Sequence, residues 1–202
     1  MVPDDTGCRE RLAALLFDSN RFREAASEYS RLLRAGDTPK SVLEGLAGSR
    51  LRMGEHARAV RLFEESLARH GDDPRVRISL GFLYRCLGDL PAASAQYRRA
   101  LSLSPRDAEA ALELGTSLYL ARDYPAAVEP LERALRLRPD WGKAHYALAL
   151  VRWNLGQRVL ALSHARRAET RGEKDAPRIV RMLTEQLALS QPRLAVTYRR
   201  RN

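Results

Sequence analysis

The stretch LGFLYRCLGDLPAASAQYRRALSLSP, Leu80 to Pro105, is followed by LGTSLYLARDYPAAVEPLERALRLRP, Leu114 to Pro139. Leu80 and Leu114, Gly81 and Gly115, Asp89 and Asp123, Pro91 and Pro125, Ala100 and Ala134, and Pro105 and Pro139 all stand 34 residues apart. Within the first copy, apolar or small residues fall at helical spacing, at Leu80, Gly81 and Tyr84 and then at Ala93, Tyr97, Ala100 and Leu101. The breaks GDLP and RDYP put Pro91 and Pro125 near a first helical turn, a position that tolerates a missing N–H. Each copy therefore reads as helix, tight turn, helix.

Sliding the 34-residue period outward gives five gapless windows, 6–39, 40–73, 74–107, 108–141 and 142–175. Asp5, Asp73, Asp107 and Asp175 share one phase, just before a new helix opens, where a carboxylate can cap the orphan N–H groups. Small residues recur at Ala13, Ala47, Gly81, Gly115 and Ala149 in the first helices and at Ala25, Ala59, Ala93, Ala127 and Ala161 in the second. Large side chains there would force the paired helices apart. The turn glycine appears as Gly54, Gly88 and Gly156, with Asn20 in its place in the first copy. Residues 176–190 supply one further helix in phase for the opening of a sixth copy, which reads as a cap; residues 1–5 form a leader and 191–202 a basic tail. Pro130, inside a second helix, is expected to remove one hydrogen bond and bend it.

This pattern resembles the tetratricopeptide repeat, a helix-turn-helix unit of 34 residues. The resemblance implies an all-α, right-handed solenoid of about five units closed by the capping helix. The outer copies depart from the pattern, at Arg9 and Asn20 in the first and at Ala165 and Glu169 in the fifth, as copies with one neighbour do. It also implies a concave groove lined by the first helices. The matching groove positions are Ser41, Glu44 and Gly48 in the second copy, then Arg75, Ile78, Phe82 and Arg85 in the third. They continue as Leu112, Thr116 and Tyr119 in the fourth and Lys143, Tyr146, Leu150 and Trp153 in the fifth. Some members of the family grip a C-terminal carboxylate with a Lys and Asn clamp; this chain has Glu10 and Ala14 there, which argues against a chaperone-tail receptor. The apolar and aromatic groove residues have two readings, as packing between neighbouring copies or as anchors for an amphipathic or extended peptide. Gly45 and Gly48 likewise admit either close helix packing or a partner's backbone.

The composition, 45% hydrophobic and 30% charged over 202 residues, is that of a globular chain. Its apolar runs fall far short of the roughly 20 residues a membrane span needs. The opening MVPDDTGCRE has neither a basic n-region nor an apolar h-region, so a cytoplasmic location is expected. Cys8 and Cys86 are too few for a disulfide framework, and His56, His70, His145 and His164 show no metal-ligand spacing. Carboxylates stand three or four residues from arginines, as on solvated helix faces. These features predict no catalytic residue, no metal and no cofactor. Only three of the 35 basic residues are lysines, a bias that points to a GC-rich bacterial source.

Net charge is +10, and the stretch from Val151 to Asn202 holds 12 basic against 4 acidic residues. Arg166, Arg167, Arg171, Arg178 and Arg181, followed by Arg199, Arg200 and Arg201, form a basic C-terminal patch. The expected function is a non-catalytic scaffold or adaptor that holds a partner peptide or helix in the groove and assists assembly of a larger complex. The alternative is a nucleic-acid or anionic-surface binder acting through that basic end. Interspersed Glu169, Glu173, Asp175 and Glu185 weigh against it.

Overall fold

The computed structural model describes residues 6–34 and 39–190, and among them every regular element is an α-helix. The helices are α1 (Thr6–Asp18), α2 (Phe22–Arg34), α3 (Lys40–Arg52), α4 (His56–His70), α5 (Pro74–Cys86) and α6 (Leu90–Leu103). They continue as α7 (Ala108–Leu120), α8 (Tyr124–Leu137), α9 (Gly142–Asn154), α10 (Arg158–Thr170) and α11 (Ala176–Ser190). The chain forms two compact units, Met1–Ser104 and Pro105–Asn202. In each unit consecutive helices pack on one another as hairpins.

Local chemistry sets where helices start and stop. Asp73 accepts from the N–H groups of Arg75 (2.7 Å) and Val76 (3.3 Å), and Asp107 from that of Ala110 (2.9 Å). Asp89 and Asp123 do the same for the second helices, through Ala92 (3.0 Å) and Ala126 (3.3 Å), with Pro91 and Pro125 in the first turn. Pro130 is buried inside α8, which runs from Tyr124 to Leu137 around it. No disulfide joins Cys8 and Cys86.

The recurring small residues lie at the helix crossings. Ala13, Ala47 and Ala149 are fully buried, as are Ala25, Ala59, Ala93, Ala127 and Ala161. The glycines mark the tightest approaches: a Cβ on Gly81 would stand 2.7 Å from the buried Tyr97 ring, and one on Gly115 would stand 2.5 Å from Leu131. Gly45 has the same cause, since a Cβ there would stand 2.3 Å from the Tyr29 ring.

Three phases of the first helices are buried on each of α3, α5, α7 and α9. The seventh residue is Leu46, Leu80, Leu114 or Leu148, at most 5% exposed, and the tenth is Ser49, Leu83, Ser117 or Val151, fully buried. The third, Val42, Val76, Ala110 or Ala144, is buried as well.

Candidate partner-binding face

In the first unit the predicted groove positions lie on α3 and α5. Ser41 is exposed, and Glu44 is held between Lys40 Nζ (3.8 Å) and the Ser66 hydroxyl (3.4 Å). Lys40 is itself bonded to Asp73 at 2.5 Å. Gly48 differs from Gly45: a Cβ there would meet the Phe17 ring at an ordinary 3.4 Å, so packing does not demand glycine. On α5, Arg75, Ile78, Phe82 and Arg85 recur every three or four residues and so share one stripe. Phe82 is 41% exposed, with the Arg85 guanidinium 5.4 Å above its ring.

In the second unit the positions divide. Leu112 is not an open anchor: α7 buries eight residues and Leu112 is one of them, which corrects its assignment to the groove surface. Thr116 turns its hydroxyl back onto the Leu112 carbonyl (2.8 Å). Trp153 packs against Ala149, Ala161, Ala165 and Leu183, so it fills the space between the last hairpin and α11. Tyr119 is half-buried, its ring 5.7 Å from that of Tyr124, and Tyr146 and Leu150 are half-buried on α9. Burial pushes the Tyr146 hydroxyl up from its ordinary value, with the Asp175 carboxylate adding to the effect. Lys143 is exposed. The surface that remains open on these helices is therefore Phe82 with its arginines in one unit, and Tyr119, Tyr146 and Leu150 with Lys143 in the other.

The basic residues are spread over two helices. Arg166 and Arg167 are exposed on α10, Arg171 is ion-paired with Asp140, and Arg178 and Arg181 are exposed on α11. Arg199, Arg200 and Arg201 lie outside the described residues. Arg178 occupies the phase that Ala144 fills 34 residues earlier, and Glu185 the phase of Val151. Both are exposed where Ala144 and Val151 are fully buried, so this face of α11 carries charge and not apolar packing.

The fold also brings together two histidines that showed no motif in the sequence. His145 and His164 approach with 3.1 Å between their Nδ1 atoms, beside a cavity of about 340 Å³ that Glu132, Arg136 and Arg167 also line. His145 Nε2 lies 2.9 Å from the Pro139 carbonyl, which can only accept, so the proton sits on Nε2. His145 Nδ1 is then the acceptor, and His164 donates to it from Nδ1. Burial pulls both imidazoles below their ordinary value, His164 to about 4, and the neighbouring Arg167 acts in the same direction. The signal was present as an offset. Arg9 to Glu28 (3.0 Å) and Arg77 to Gln96 (2.8 Å) are also 19 residues apart, because in these copies the fourth residue of the first helix meets the same point of its own second helix. Among the described residues no group of three or more His, Cys, Asp or Glu could hold a metal ion. No described helix is long and apolar enough to cross a membrane.

Models described as tetratricopeptide repeat match residues 40–106, 80–141 and 121–176. No curated protein matches the chain. Among solved structures, MamA AMB-1 is 23% identical, with a TM-score of 0.72 over 82% of this chain and 90% of its own. YrrB, described as a TPR protein with an unusual peptide-binding site, is 18% identical, with a TM-score of 0.76 over 88% of this chain and 90% of its own. The MamA RS-1 ArsTM double mutant is 16% identical, with a TM-score of 0.79 over 85% and 96%. At these identities the likeness is one of fold.

Proposed function

Because the chain belongs to the tetratricopeptide repeat family, we propose that it is a non-catalytic scaffold that captures a partner peptide or helix on the open face of its first helices, toward assembly of a larger complex. The observation that carries this reading is the α5 stripe, where Phe82 stays 41% exposed between Ile78 and Arg85 while the next residue, Leu83, is fully buried. A large aromatic ring left in water on an ordered helix, with cations beside it, is the composition of a binding anchor. In the second unit, Tyr119 on α7 and Tyr146 on α9 offer similar chemistry: each is half-buried, and neither hydroxyl makes a hydrogen bond within the described residues. The description of YrrB as a peptide-binding TPR protein supports the same use of the fold.

The test is affinity capture from nuclease-treated lysate, comparing wild type with Phe82→Ala and Tyr119→Ala. Trp153 is a poor choice for it, since truncation would open a cavity among Ala149, Ala161, Ala165 and Leu183. A protein retained by wild type and lost from both variants, with helical circular dichroism unchanged, is the expected result. Retention that is indifferent to both substitutions but abolished by salt would instead assign binding to the basic C-terminal end.

A further inference from the structure

The phase that faces inward throughout the interior is open on α1. Leu12 stands where Leu46, Leu80, Leu114 and Leu148 stand in later copies, yet it is 48% exposed, and Leu15, one turn on, is 65% exposed. Helix α1 already has α2 and α3 against it, so this face lies beyond both. At α11 the seventh position is the half-buried Met182, and it is flanked by charge at the third and tenth positions, Arg178 and Glu185, whereas α1 has leucine at both its seventh and tenth positions. An array end meant only for water needs the first arrangement, not the second.

The charges beside the leucines identify what fits. Arg11 and Asp18 lie on one flank of the stripe, two turns apart; both are exposed, and neither has an ion-pair partner among the described residues. In an antiparallel helix pair each flank meets the same flank of the other helix. A two-fold axis beside Ala13 and Ala14 would set Leu12 against Leu15 of the other copy and Arg11 beside Asp18 of the other copy, with both contacts made twice. Parallel pairing would set each flank against the opposite flank of the other helix, so Arg11 and Asp18 would not meet. We propose that α1 is a homodimer interface, on which a second copy of this chain packs antiparallel through Leu12 and Leu15.

Sedimentation equilibrium of the full chain, from low micromolar to high micromolar loading, tests the proposal. Wild type is expected to show a monomer–dimer equilibrium. The double variant L12E/L15E is expected to be monomeric throughout with an unchanged helical spectrum, because both side chains are already in water. Arg11→Asp should weaken the dimer about tenfold, and adding Asp18→Arg should restore it to within about threefold, since opposite charges then meet again with their positions exchanged. A wild type that is monomeric at every concentration overturns the proposal, as does a dimer indifferent to L12E/L15E. A charge-swapped double variant as weak as the single one overturns the antiparallel pairing.

Discussion

At the scale of single residues, the repeat is punctuated by one backbone conformation that its side chains do not all favour. Asn20, Gly54, Gly88, Arg122 and Gly156 occupy the same turn, with φ of 60°, 76°, 82°, 62° and 74°. Glycine reaches this left-handed region freely and asparagine tolerates it, but arginine brings its Cβ against the backbone at a cost of roughly 1 kcal/mol or more. The Arg122 side chain is exposed and makes no ion pair among the described residues, so no contact offsets that strain. Arg122→Gly is therefore expected to stabilise the chain by about 0.5–1 kcal/mol, the relief of strain being partly cancelled by the greater freedom of glycine when unfolded. Chemical denaturation measures it directly. A fall in stability would mean that the guanidinium is held by something other than its local turn.

The hairpins show which parts of the structure a sequence states and which it withholds. Helix starts were legible because a capping aspartate and a first-turn proline act locally, as Asp73 and Asp107 do. Close crossings were legible because only alanine or glycine permits them, as Gly81 under Tyr97 illustrates. Which side of a first helix stays wet was not, because exposure depends on neighbours several helices away: Leu112 and Trp153 share the phases of open residues yet lie in the packing. The histidine pair went unread for a similar reason, being a contact across a hairpin and not a motif along it. Its consequence is a pH dependence. With His164 at about 4 when folded and near 6.5 when unfolded, both states are neutral above about pH 6.5 and the pair's full contribution is present. As pH falls from there toward 4 the unfolded chain takes up protons that the folded hairpin refuses, so stability declines across that window. His145 shifts in the same direction and adds to the slope; Arg152, Arg167 and Arg171 oppose the incoming proton, while Glu132 and Asp140 only partly favour it. Replacing His164 with Gln, which can still donate to His145 Nδ1, should flatten the melting temperature between pH 6.5 and 4 relative to wild type. An unchanged slope would place the acid sensitivity elsewhere.

At the scale of the whole molecule, a repeat protein is stabilised chiefly by contacts between neighbouring copies. That is why a period found in two central copies could be extended over the chain: every interior copy solves the same packing problem, and α1, α3, α5, α7, α9 and α11 all open 34 residues after the one before. The first and last described helices differ, α1 exposing Leu12 and Leu15 and α11 exposing Arg178 and Glu185 on either side of the half-buried Met182. The charges at the second end act against association more than they act for folding, since both side chains are exposed and neither makes an ion pair within the described residues. Replacing both with leucine should therefore leave unfolding free energy within about 0.5 kcal/mol of the parent, the usual range for surface positions. It should also create an apolar stripe with Leu189, which is already 83% exposed on the same helix. Made in the L12E/L15E background, so that α1 cannot contribute, the R178L/E185L variant is expected to associate as its concentration rises while its parent stays monomeric, measured by light scattering. A monomeric quadruple variant would mean that the α11 end is closed by something other than its charge.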